Sequence, residues 1–317
     1  MIKVFLRLYG AAIVANALSL LGALWLLLKV TLFAWPETTP FISRAVGRIP
    51  WMVFLLSLAG ATAAMRPRMS ILCHLDERDL DIEVMIGDMF AVDGDYVVST
   101  NTTFDTSFEN GLITPESVQG QFTRRFFSSA SHLDADIDRA LQAAPSKLIS
   151  VPVPRKSRRY PVGTVAKVPV RPGLRHRVRF AYLVALAELS SGGTPQSSFD
   201  MLQEALAGLW VYINEQGETG RVVTALLGSG RARVPVSQER ILREIVDSFV
   251  ACSAERKVCE RLTIVIRPAD YLRNHLSLIK MARYLDHIKE YGPFADPGGP
   301  GSGGTARPKW RWPSRFD

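Results

Sequence analysis

The chain has 317 residues, 38 Lys and Arg against 30 Asp and Glu, a net charge of +8 and three cysteines. That length holds one domain of ordinary to large size plus an appendage. The cysteines form no metal-ligand spacing and fit reduced thiols in a cytosolic domain, so a disulfide-stapled scaffold is excluded.

Residues 8–28 form an uncharged apolar run, close to the roughly 20 residues that cross a bilayer as a helix. Residues 49–65 form a second, shorter run. The expectation is a two-helix transmembrane hairpin over residues 1–68, with no charge buried in either span and so no ion or proton relay. Tyr9, Trp25, Trp35 and Trp51 lie near the span ends, where amphipathic rings prefer the interface. Lys3, Arg7, Arg66 and Arg68 flank the pair and Lys29, Arg44 and Arg48 sit between them, which slightly favours both ends in the cytoplasm. Gly10, Ala11, Ala12 and Ala15, and later Gly60, Ala61, Ala63 and Ala64, are small enough to let helices pack closely.

The remainder, residues 75–291, reads as an α/β domain. Strands are expected at 82–86, 96–100, 162–170, 180–189, 221–227 and 262–266, and helices at 115–127, 134–144, 196–216, 238–254 and 276–291. Thr194, Ser197 and Ser198 are the candidate caps of the helix that follows them. Strands alternating with helices predict a mixed or largely parallel sheet flanked by helices on both faces. Residues 292–317 are rich in Gly and Pro and end in a run mixing cations with Trp and Phe; the expectation is a disordered basic tail.

The strongest local signal is a buried-type strand, then Leu226-Leu227-Gly228-Ser229-Gly230-Arg231, then a helix. Glycines at such a turn let backbone N–H groups approach a phosphate. No Lys-Ser/Thr follows the second glycine, so this is not a P-loop, and no third glycine completes the dinucleotide fingerprint. The same pattern also suits a tight strand-to-helix turn. Five scattered histidines pair with no nucleophile or ligand set, and the basic run 155–159 has no interleaved aromatics of the kind a base-stacking platform needs. Nucleic acid is therefore not an expected partner.

Gly87-Asp88-Met89 after a strand, then Asp95 to Asn101 (DYVVSTN), then the distant LLGSG turn, resemble the macro domain, the ADP-ribose-binding fold. The fold class this implies is α/β, a macro-domain-like mixed sheet flanked by helices and preceded by the transmembrane hairpin. Where the family reads DAIVNAAN, this chain has Ser99 at the first Asn, and NTTFDTSFENGLITPESVQGQF replaces the glycine-rich loop. That variant wording, together with two N-terminal apolar runs, resembles the type II Thoeris antiphage membrane effectors.

The resemblance implies a set of ligand contacts. Asp88 would accept from an adenine amino group, with Met89 beside it; Asn101 and Thr102 would edge the distal ribose. Gly120 and Gln121 would offer backbone N–H to a phosphate, and Leu227, Gly228, Ser229, Gly230 and Arg231 would wrap the pyrophosphate. Tyr271 would stack on adenine. Each has a structural alternative: Asp88 a turn cap, Asn101 a loop anchor, Tyr271 a core residue, Arg231 a solvated cation.

The implied ligand is an ADP-ribose derivative, such as an amino-acid or base conjugate, made by a TIR-domain enzyme. The implied protein is a homo-oligomerising effector of the bacterial inner membrane with its soluble domain in the cytoplasm, without catalytic or metal residues. A membrane-anchored ADP-ribosyl hydrolase and a passive nucleotide sensor with a simple anchor are the alternatives.

Overall fold

The computed structural model describes residues 2–34, 54–55, 57, 59–60, 69–109, 112–150, 156–170, 178–190, 194–217, 219–230, 234–274 and 276–291. Two compact units divide at Met69/Ser70. The first contains one long helix, α1 (Ile2–Ala34), which takes in the first apolar run. Val14, Leu18, Leu26, Leu27 and Phe33 are all exposed on it. Among the described residues no helix is long and apolar enough to cross a membrane; in α1 the unbroken stretch of described side chains runs only from Val14 to Leu27. Most of the second run, and the whole tail from residue 292, lie outside the described residues.

The second unit is built on one sheet. Its strands are β1 (Ser70–Leu75), β2 (Leu80–Ile86), β3 (Asp95–Asn101), β6 (Val165–Pro169), β7 (Phe180–Leu189), β9 (Thr219–Ala225) and β10 (Cys259–Ile266), in the spatial order β1-β2-β10-β9-β3-β7-β6. A short β8 (Pro195–Gln196) pairs with β7, and β4 (Lys147–Leu148) with β5 (Arg158–Arg159) forms a separate hairpin. The five central strands run parallel; β1 and β6 close the edges antiparallel.

Burial explains the strand sequences. β7, FAYLVALAEL, lies between two layers and is apolar almost throughout, as a strand covered on both faces must be. β2 nearer the edge alternates: Leu80, Ile82, Val84 and Ile86 are buried, while Asp81, Glu83 and Met85 are half-buried. On that second face Asp81 pairs with Arg261, and Glu83 with Arg221.

The helices are α2 (Val118–Phe126), α3 (Ala130–Ala140), α4 (Phe199–Glu215), α5 (Gln238–Glu255), α6 (Pro268–Arg273) and α7 (Leu278–Tyr291). α2 and α3 cover one face, where Phe122, Leu133 and Ile137 join Tyr96, Val98, Leu183 and Val223 in a core cluster. Phe90, Phe122, Phe126 and Tyr96 meet there with ring centroids 5.3–6.3 Å apart, contacts worth about 0.5–1.5 kcal/mol each beyond area burial. α4 and α5 cover the other face: Tyr182 of β7 meets Tyr212 of α4, and Trp210 packs on Phe249 and donates to Ser248 at 2.9 Å.

Four helices begin with a serine cap. Ser117, Ser129, Ser198 and Ser237 each accept from the backbone N–H three residues on, at 3.0–3.3 Å, which satisfies one of the donors a helix leaves without a partner. Of the three candidate caps for α4, Ser198 is the one used.

Candidate functional site

β9 and β3 are neighbours in the sheet, yet the chain leaves them in opposite directions. β3 leads through residues 102–117 to α2 on one face; β9 leads through residues 226–237 to α5 on the other. Where adjacent parallel strands diverge in this way a crevice opens beyond their carboxyl ends, and in open α/β sheets ligands bind there. A cleft, partly open to solvent, occupies that position.

Its floor is the end of β3. The β3–β7 register slips between Thr100 and Asn101, so Asn101 faces Ala187. Ser99, Thr100 and Asn101 all line the cleft. Thr100 is buried, and its Oγ1 has no hydrogen-bond partner among the described residues. Asn101 Oδ1 accepts from Thr103 N and from Asp105 N, each at 3.1 Å. Two backbone donors fix that atom as the oxygen, so the amide nitrogen is the polar end left to the cleft.

The loop beyond Asn101 is tightly locked. Phe104 is fully buried with φ +52°, a left-handed conformation for a bulky residue. Asp105, also buried, accepts from Thr103 Oγ1 at 2.5 Å and from Lys156 N at 2.8 Å, while its carbonyl accepts from Gln119 Nε2 at 2.7 Å. Burial works against the Lys156 ammonium, but its hydrogen bonds to Asp134 and Asp138 outweigh that and raise its pKa.

One wall is the first turn of α2, where Ser117, Val118 and Gln119 face the cleft. Ser117 takes the Gly120 N–H through Oγ and the Gln121 N–H through its carbonyl. The Val118 and Gln119 amides are therefore the first donors of the helix, ahead of any intrahelical acceptor. Gly120 is needed for a different reason: a Cβ there would stand 2.1 Å from the Thr114 carbonyl oxygen.

The opposite wall is the turn after β9. The strand stops at Ala225, because Leu226 turns its carbonyl to Ser229, accepting from N at 3.2 Å and from Oγ at 2.6 Å. Gly228 has φ +70°, and a Cβ on it would stand 2.4 Å from Val234 Cγ2. Gly230 has nothing within 4 Å of its Cβ position. Beyond β10 lie Arg267 and Asp270, joined Nε to Oδ2 at 2.7 Å, the only charged side chains among the described lining residues.

Of the residues singled out from the sequence, Asn101, Gly228, Ser229 and Gly230 meet in this cleft. Asp88 stands outside the lining, capping the turn 89–91 through Phe90 N at 3.1 Å and paired with Arg125 at 2.7 Å. Met89 is buried in the aromatic cluster, and Thr102 is buried with its N–H on Ala187 O at 2.8 Å. Gly120 and Gln121 sit one turn inside α2 with their amides engaged; Leu227 is buried beneath the glycine turn. Tyr271 is buried, its hydroxyl accepting from Leu278 N at 3.4 Å and so closing the start of α7. Arg231 is outside the described residues.

Sequence reasoning missed Thr100, Gln119, Arg267 and Asp270. Arg267-Pro268-x-Asp270 carries a helix-start signal, and such a signal says nothing of a cleft. Among the described residues no group of three or more His, Cys, Asp or Glu is arranged to hold a metal.

The family model described as "Thoeris protein ThsA, Macro domain" matches residues 82–267, which runs from within β2 to the end of β10 and takes in the cleft lining except Asp270. A curated relative, Thoeris protein ThsA of Bacillus amyloliquefaciens (strain Y2), is 24% identical over 208 residues, covering 63% of this chain and 67% of the relative. Similar solved structures include a mutant of the Oceanobacillus iheyensis macrodomain, with TM-score 0.44, 13% identity and coverage of 67% of this chain and 98% of that one. Another is the Trypanosoma brucei macrodomain in complex with ADP-ribose, with TM-score 0.40, 11% identity and coverage of 60% and 66%. The family match takes in more than half of the residues, and the chain belongs to the Thoeris ThsA macro-domain family.

Proposed function

We propose that this protein is a membrane-anchored antiphage effector whose macro domain binds an ADP-ribose-derived signal nucleotide supplied by a TIR-domain enzyme. Binding favours a homo-oligomer, and the assembled N-terminal segments then disrupt the bacterial inner membrane. The observation that carries the reading is the cleft at the β3/β9 divergence. It sets a glycine turn against the leading amides of a helix, two sources of N–H donors suited to a diphosphate, within a Thoeris family domain.

Binding without turnover is supported by the end of β3. Asn101 Oδ1 is fully engaged in fixing its own loop, and Ser99 stands where the family's first Asn would be. The anchor is supported by residues 8–28, which lie within α1, and by the apolar side chains exposed along that helix. A helix with apolar residues all round suits a nonpolar surrounding. For assembly to follow, the nucleotide must bind the assembled state more tightly than the resting one; a ligand with equal affinity for both shifts nothing.

The test uses the full-length protein in detergent micelles, titrated by calorimetry with ADP-ribose, NAD and base-modified ADP-ribose conjugates while light scattering follows mass. Binding with a rise in mass supports the gated effector. Binding without assembly points to a passive sensor, and release of ADP-ribose from a conjugate points to a hydrolase. No binding of any of these compounds overturns the nucleotide reading.

A further inference from the structure

Resting on the membrane-anchored, assembling effector proposed above, we infer that β1 is the seam along which a second copy of this chain joins. Two β1 strands pair antiparallel about a two-fold axis through Leu72 and run the two sheets into one.

The two edges of the sheet are built differently. At β6, Pro169 has no N–H to offer, and Lys167 extends to Gln216 Oε1 at 3.3 Å. A proline and a lysine are what keep an edge strand from pairing with another chain. Neither occurs in β1, SILCHL. Its register against β2 is unbroken from Ser70 with Met85 to Leu75 with Leu80, so no bulge twists this edge away. Among the described residues no strand lies beyond β1, and alternate residues of such a strand turn their N–H and C=O groups outward.

The side chains divide by face. Cys73 and Leu75 are buried, and Cys73 Sγ donates to Leu285 O of α7 at 3.6 Å, so α7 covers that face. Ser70, Leu72 and His74 alternate with them on the other face and are exposed, Leu72 by 57%.

This pattern selects a partner and a register. Directly opposite residues of an antiparallel pair share a face, so the two-fold axis passes through a residue. With the axis on Leu72, Leu72 meets its own copy, Ser70 meets His74 and Ile71 meets Cys73. Apolar then faces apolar, polar faces polar, and no like charges meet. Moved by one residue either way, the axis sets Leu72 against His74 or against Ser70. An identical strand supplies the whole match by symmetry. Six residues bury less than the roughly 1,000 Å² that a stable interface in free solution needs; confinement to one membrane raises the effective concentration of the copies and makes up the difference.

The test uses full-length protein in liposomes of phosphatidylethanolamine and phosphatidylglycerol, oxidised with copper phenanthroline without and with ADP-ribose. Thermal unfolding is the folding control, and the native thiols are buried. Leu72→Cys is expected to form a disulfide-linked dimer at least about tenfold faster than Leu148→Cys, a control on an exposed residue of the β4–β5 hairpin. Ser70→Cys and His74→Cys each lie about 14 Å from their own copy in this register, at roughly 3.4 Å per residue. Each is expected to stay uncrosslinked alone, and the two are expected to cross-link when mixed. The inference is overturned if folded Leu72→Cys is no faster than Leu148→Cys in both conditions, or if the mixture is no faster than its components. Amine cross-linking of wild type in the same liposomes separates two kinds of failure. Oligomers captured there while these cysteines stay apart leave assembly standing and remove β1 from it. Monomers throughout sink the assembly reading as well.

Discussion

The side-chain oxygen of Asn101 and the backbone amide of Asp105 are bonded at 3.1 Å across a loop whose intervening Phe104 is left-handed and fully buried. That bond, with the one from Thr103 N, ties the loop to the end of β3 through a side chain. Asn101→Ala removes an oxygen that serves two backbone donors and leaves both buried amides without a partner. It is expected to cost about 2–3 kcal/mol, read as a lower midpoint in urea unfolding. Asn101→Asp keeps an acceptor and should cost less.

The glycine turn offers a paired test. Gly228→Ala must place a Cβ 2.4 Å from Val234 Cγ2 at φ +70° and is expected to lose about 1–3 kcal/mol together with nucleotide binding. Gly230→Ala meets open space and should change stability by no more than about 0.5 kcal/mol. Gly230→Glu should fold equally well but abolish binding, because it adds a carboxylate to the cleft. Thermal melts and calorimetry on the three variants separate these outcomes.

Glu244 on α5 gives a pH signature. Burial pushes its carboxyl above the usual value of 4.5, and the Gln203 hydrogen bond at 3.0 Å offsets this only in part. A folded pKa above the unfolded one means that folding favours the protonated acid. Its contribution is therefore fully favourable below the unfolded value and is lost as pH rises through the folded one. Glu244→Gln should be more stable than wild type at pH 7, with the difference vanishing below about pH 4. Asp247, also raised by burial, leaves some of the slope in place. Unfolding curves across a pH series measure both.

The three cysteines should resist alkylation in the native protein. Cys73, Cys252 and Cys259 are all buried, and burial pushes the Cys259 thiol up to about 12. Since the thiolate is the reactive form, iodoacetamide at pH 8 should label none of them until denaturant is added. Mass spectrometry of the labelled chain checks this.

The fold was legible wherever a segment's burial was uniform. β7 and α5 match their sequence-derived bounds closely, because a doubly covered strand is apolar throughout and a one-faced helix keeps its 3.6-residue period. β1 was not foreseen: SILCHL is an edge strand with Ser70, Leu72 and His74 exposed, and its pattern is too short and mixed to be read without its partner β2. α6 is only six residues long. The expected strand 221–227 ends two residues early because the carbonyl of Leu226 is needed to close the turn. The glycines of the cleft were readable because a strand-to-helix turn has a local signature. Arg267, Asp270 and Thr100 were not, since facing a cavity is a property of the assembled sheet.

Helix α2 touches two different places at once. Its first turn forms a wall of the cleft, and its last turn carries Arg125, which grips Asp88 at the surface and lies 5.0 Å over the Phe90 ring. Nine residues make a rigid rod of about 13 Å, anchored midway by Phe122 in the aromatic cluster. One short helix thus makes the wall of the cleft at Val118 and Gln119 continuous with an ion pair on the outside of the domain.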